Sequence, residues 1–61
     1  MTLHEFMTLE NISRPAMAKK IGVSEEGLKK WLRGARTPRP EQLRRIYKVT
    51  GKRVEPNDFI L

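Results

Sequence analysis

Between Ser24 and Gly34 the chain sets Glu25, Glu26, Lys29, Lys30 and Arg33 around a short apolar series, Leu28, Trp31 and Leu32. At about 100° per residue, Trp31 and Leu32 fall within roughly 60° of Leu28, so these three share one helix face. Glu26, Lys30 and Arg33 lie opposite, Lys29 stands near them, and Glu25 and Gly27 border them. Carboxylate acceptors and cationic donors thus share one short outer surface. Its chemistry is hydrogen bonding and charge pairing, of the kind that base edges and phosphates accept. The structural alternative is that Glu25 with Lys29, and Glu26 with Lys30, are i, i+4 ion pairs, with both acids at the positive end of a helix.

Little else in the chain is reactive. His4 is the single histidine and there is no cysteine, so no metal site is expected. No nucleophile or paired acid accompanies His4, and Ser13 and Ser24 read as helix caps. The glycines are spaced along the chain as punctuation and form no phosphate loop. The expectation is a protein that is not an enzyme and needs no cofactor or small-molecule ligand.

The charged surface must be carried by packed helices. Leu3, Phe6 and Met7 recur at i, i+3, i+4, which predicts a first helix over roughly Leu3 to Glu10. Ser13 caps a second, with Pro15 in its first turn and Met17, Ala18 and Ile21 on its buried side. Ile12 and Met17 stand at the two positions of a hydrophobic staple, and Val23 and Leu28 repeat it. Gly22 ends that helix and Ser24 caps the third, which Gly34 closes. Trp31 reads as core, and Met7 and Met17 as fillers of the same core. Residues 35–39 read as a loop. Pro40 and Glu41 open a fourth helix with Leu43, Ile46 and Tyr47 on one face, and Gly51 closes it. Lys52-Arg53-Val54 is predicted extended, and Pro56-Asn57-Asp58 a turn or one helical turn.

At 61 residues the chain has room for one small core, so a single domain over residues 1–61 is expected. No apolar run reaches the ~20 residues that span a bilayer, and no signal-peptide pattern is present. The absence of cysteine suits a reducing cytoplasm. All 13 Lys and Arg fall within residues 14–53, beside only Glu25, Glu26 and Glu41, and the remaining four acids lie outside that span. The overall charge is +6. Basic charge concentrated in this way suits a polyanion partner.

Two capped helices joined at Gly22-Val23 form a helix-turn-helix pattern. The chain resembles the Cro and phage-repressor (XRE) family of helix-turn-helix regulators. The matching residues are Ala18 where the helices cross, Gly22 in the turn, Val23-Ser24 at the start of the next helix, and Leu28 and Trp31 in its core face. Gly34-x-Arg36-x-Pro38 and Thr50-Gly51-x-x-Val54-x-Pro56-x-Asp58-Phe59 are similar to small Cro-like and YdaS-like members. The resemblance implies an all-α, lambda-repressor-like bundle of four to five short helices, and a phage or mobile-element background. It implies that Glu25, Glu26, Gly27, Lys29 and Lys30 face the bases of double-stranded DNA. Arg14, Ser24, Arg33, Arg36 and Arg39 would meet phosphate. Arg14 departs from the family, which usually has Gln there; a pure donor suits phosphate.

The implied function is sequence-specific DNA binding that regulates transcription, chiefly repression at a palindromic operator, with the helix at about Ser24–Arg33 in the major groove. So small a reader needs two copies, so a homodimer is expected at least on DNA. The tail Phe59-Ile60-Leu61 is a candidate contact between copies, together with the fourth helix; equally, it folds back onto its own first helix. The protein is expected in the cytoplasm, associated with the nucleoid. Arg44, Arg45, Lys48, Lys52 and Arg53 read as surface charge. A protein-interaction module (antitoxin-like, or a phage adaptor) and a nucleic-acid binder without sequence preference remain the alternatives.

Overall fold

The computed structural model describes residues 1–59, which form four α-helices and a closing 3₁₀ turn, without a strand among them. The helices are α1 (Leu3–Glu10), α2 (Arg14–Ile21), α3 (Glu25–Leu32) and α4 (Pro40–Val49), and the 3₁₀ turn is Pro56–Phe59. Each start has a local cause. The Thr2 hydroxyl accepts from the Glu5 amide at 3.1 Å while the Glu5 carboxylate accepts from the Thr2 amide at 2.8 Å, a reciprocal capping box. Ser13 accepts from Ala16 and Ser24 from Gly27. At α4 the Gln42 side-chain oxygen accepts from the Arg39 amide at 2.9 Å, and Pro40 fills the first helical position.

The ends repeat one device. The Ala35 amide reaches back to the Lys30 carbonyl and the Gly34 amide to Trp31, with Gly34 left-handed at φ +74°, a Schellman motif. Asn11 takes the same place after α1 at φ +54°, where a short side chain tolerates the conformation. Lys52-Arg53-Val54 is not extended as the sequence suggests. Gly51 and Lys52 both adopt positive φ, and the Lys52 amide bonds the Tyr47 carbonyl at 2.7 Å, so the end of α4 curls the chain before it can straighten.

The four helices bury one shared core of Leu3, Phe6, Met7, Met17, Ala18, Ile21, Leu28, Trp31, Ile46 and Val54. Ile12, Val23, Leu32 and Phe59 pack at its edge, which agrees with both staples. Helix α2 is the hub, packed against α3 and α4, and α4 in turn supports the 3₁₀ turn. Phe59 therefore lies on its own core; Ile60 and Leu61, the rest of the expected tail, lie outside the described residues. Arg53 ties the C-terminal segment to α1 through Glu10 at 3.2 Å and lies over the Phe6 ring at 5.9 Å, a structural role where surface charge was expected.

Two carboxyls give this scaffold a predictable acid response. The Thr2 amide and hydroxyl hold Glu5 below its ordinary value of 4.5. The Glu55 amide, helped by the amino terminus at 3.2 Å, holds Asp58 below 3.8 against an opposing effect of burial. Both values are depressed on folding, so their stabilisation is present above the unfolded values and is lost as pH falls through the folded ones. Urea midpoints are expected to be level above about pH 5 and to decline below it. Glu5→Gln and Asp58→Asn should each flatten that decline; an unchanged profile in both would refute this origin.

Candidate nucleic-acid interface

Helix α3 is seated by one side. Leu28 and Trp31 are buried and Leu32 is half-buried, as their spacing requires, while Glu25, Glu26 and Arg33 stand exposed. Lys29 and Lys30 lie half-buried along their stems, a common way for long cationic side chains to cover apolar surface. A helix about 10–12 Å across with its side chains fits a major groove about 12 Å wide, and the eight residues of α3 give it about 12 Å of length to lay along that groove. Ala18 is buried in α2, which packs against α3, and its carbonyl accepts from both Gly22 and Val23. Gly22 is required by its backbone, which turns at φ +83°; a Cβ there would make only ordinary contact, at 3.4 Å, with an Arg45 guanidinium nitrogen.

The charges on α3 pair differently from the expected i, i+4 pattern. Glu26 meets Lys29 at 3.7 Å, three residues on, and not Lys30. Glu25 has no ion-pair partner among the described residues, and neither has Lys30. With 77% of the Glu26 side chain exposed, the pair it makes contributes little to stability, and solvent screens it. Both acids at the first turn and both lysines in the last turn complement the helix dipole, which explains their order along α3 without any ligand.

Beside α3 lies an open cleft of about 640 Å³. One wall is Gly22, Val23, Ser24, Gly27 and Trp31; the other is the loop and the start of α4, with Arg36, Thr37, Arg39, Glu41, Gln42 and Arg45. The structure thus gathers Ser24, Gly27, Arg36 and Arg39 from the expected contact residues. Gly27 lines this cleft, and a Cβ there would meet the Ser24 hydroxyl at 3.3 Å. Pro38 is buried, which pins the loop that carries Arg36 and Arg39. A second cleft of about 630 Å³ lies behind the loop, where Arg33 and Arg36 share walls with His4, Leu32 and Phe59. Arg14 lines neither cleft and stands exposed at the first position of α2.

Sequence reasoning missed Arg45 and Gln42 as members of the α3–α4 cleft. Their signal is the spacing Arg39, Gln42, Arg45, three residues apart on one ridge from the N-cap of α4. Arg45 is held by Glu41 at 3.0 Å, an i, i+4 pair in the favoured order, and so overhangs the Gly22 turn. Arg14, Arg33, Arg36 and Arg39 make no ion pair among the described residues. Cations without internal partners on both sides of a seated helix form a surface for a polyanion. Among the described residues no helix is long and apolar enough to cross a membrane, and no cluster of His, Cys, Asp and Glu could hold a metal ion.

A family model for the helix-turn-helix matches residues 3–56 of this chain. No curated protein and no solved structure shows a significant match. The matched span runs from the first residue of α1 to the first residue of the 3₁₀ turn, so it takes in α2, the Gly22 turn, α3 and the loop that flanks them. The chain therefore belongs to the XRE-type helix-turn-helix family, and is a DNA-binding helix-turn-helix regulator.

Proposed function

We propose that the protein is a Cro-like repressor that binds a palindromic operator as a homodimer, with α3 lying in the major groove. The observation that carries this reading is the division of α3 into a core-seated face and a charged face, flanked by cations that the fold leaves unpaired. Glu25, Glu26, Lys29 and Lys30 then face base edges, with Gly27 giving the groove wall room beside them. Arg14, Ser24, Arg33, Arg36 and Arg39 hold phosphates, and Arg45 joins them from α4. The protein acts by occupying its site and performs no chemistry. Its place of action is the cytoplasm, on the nucleoid.

One α3 is about 12 Å long and covers only three to four base pairs at 3.4 Å each, which favours two copies on half-sites one helical turn apart. Phe59 is engaged with its own core, so α4, where Leu43 and Tyr47 remain half-buried, is the preferred face for the second copy. Selection of bound duplexes from a random pool tests the whole reading. The expected result is a palindromic consensus whose affinity falls steeply with salt, with six or more phosphate contacts per complex in the slope. Salt dependence without a consensus would mean non-specific binding, and neither would mean a protein partner; either result overturns the proposal.

A further inference from the structure

We infer that the base pairs read by α3 are G·C, with Glu26 accepting from cytosine N4 and Lys30 donating to guanine O6 and N7. This rests on the DNA-binding reading above and gives it a sequence. The major groove presents each base with a different pattern: adenine is read most fully by an amide that both donates and accepts, and thymine is distinguished by a methyl group that takes an apolar contact. Neither partner is on the outer face of α3. The chain has three amide side chains, Asn11, Gln42 and Asn57. Asn11 ends α1, Asn57 sits in the 3₁₀ turn, and the Gln42 oxygen is occupied by the Arg39 amide at 2.9 Å. The apolar residues of α3, namely Leu28, Trp31 and Leu32, all turn to the core.

What remains on and beside that face is charged: the carboxylates of Glu25 and Glu26 and the cations of Lys29, Lys30 and Arg33. Of these, Glu26 and Lys30 stand most nearly opposite the core within the helix. Glu26 and Lys30 are four residues apart, so their Cβ atoms lie about 6 Å apart on one helix face, within reach of neighbouring base pairs. Their chemistries match the two bases of a G·C pair: an acceptor for the cytosine amine, a donor for the guanine edge. Lys29 makes the acid tolerable among phosphates. It stands 3.7 Å from Glu26, and so offsets the carboxylate's charge and leaves oxygen lone pairs to accept. Lys30, without an acidic partner among the described residues, keeps its donors for a base.

The test uses the full chain and duplexes recovered from a random pool, followed by competition with every single-base variant of the recovered site. Each half-site is expected to hold adjacent or near-adjacent G·C pairs at which any substitution weakens binding about ten-fold or more. Glu26→Ala should erase the preference at the cytosine position and leave the other positions unchanged. Lys30→Gln should move the preferred base at its position from guanine toward adenine, a change that a merely structural lysine would not produce. Circular dichroism of both variants, exposed or half-exposed as these side chains are, is expected to match the parent. A consensus with A·T pairs at the sensitive positions, or one indifferent to both substitutions, overturns the G·C assignment and leaves the operator reading standing. Failure to recover any consensus overturns both.

Discussion

Leu28→Ala is expected to destabilise the domain by about 2–5 kcal/mol and to abolish DNA binding without removing any group that faces DNA. A 61-residue domain has a total stability of roughly 3–9 kcal/mol, so this single truncation takes a large share of it. Leu28 has no exposed surface and lies with Met17, Ile21, Ile46 and Val54 at the centre of the core, where removing three carbons leaves a buried void. The residue also decides the orientation of α3, because Leu28 and Trp31 are its two buried anchors. Urea unfolding followed by circular dichroism reads the loss directly. Leu28→Met, close in volume, should cost less than about 1.5 kcal/mol and retain binding. If Leu28→Ala unfolded at the parent's urea concentration, the seating of α3 would have to reside elsewhere.

The same residue illustrates what could be read from the chain. Helix starts and stops were legible because their causes lie within four residues: Ser13 with Ala16, Ser24 with Gly27, and Gly34 with Trp31 are all local pairs. Buried stripes were legible because a helix converts spacing into direction, so Leu28, Trp31 and Ile46 fell on the core side by periodicity alone. The pairing of Glu26 was not, since i+3 and i+4 partners are nearly equidistant and side-chain rotamers decide between them. Nor was the bend at Lys52, which takes a left-handed conformation that its side chain disfavours and the end of α4 imposes. The α3–α4 cleft lay further out of reach. Arg45 joins Ser24 and Gly27 only through the packing of α4 against α2, segments separated along the chain by the whole of α3 and the loop after it. The spacing Arg39, Gln42, Arg45 marks one ridge of α4, but nothing in that spacing says which distant segment the ridge faces.

Replacing Thr50 by valine is expected to cost about 1–3 kcal/mol. Its hydroxyl donates to the Ile46 carbonyl at 2.7 Å and accepts from the Val54 amide at 3.1 Å, with only 2% of the residue exposed. Valine keeps the shape and removes every bond of the hydroxyl, its weaker 3.3 Å contact with the Tyr47 carbonyl included. The Val54 amide is then left buried with no acceptor and no access to water. The lost donation matters less, because the Ile46 carbonyl also accepts from the Thr50 amide at 3.0 Å. Thr50→Ser keeps the hydroxyl and should recover most of the loss, which separates the hydrogen bond from the packing of the methyl group. Amide exchange at Val54 is expected to quicken in Thr50→Val beyond what the global destabilisation accounts for. Geometry keeps the consequence away from the DNA side. Val54 completes the core beneath α2 and α4, and the segment it anchors carries Arg53 to Glu10 and Phe6. Freeing it loosens the end of α4 remote from the cleft while Arg39 and Arg45 stay on the first two turns. Operator affinity per folded molecule should therefore change little, and a Thr50→Val protein that folds fully yet binds many-fold more weakly would show that α4 transmits strain along its whole length.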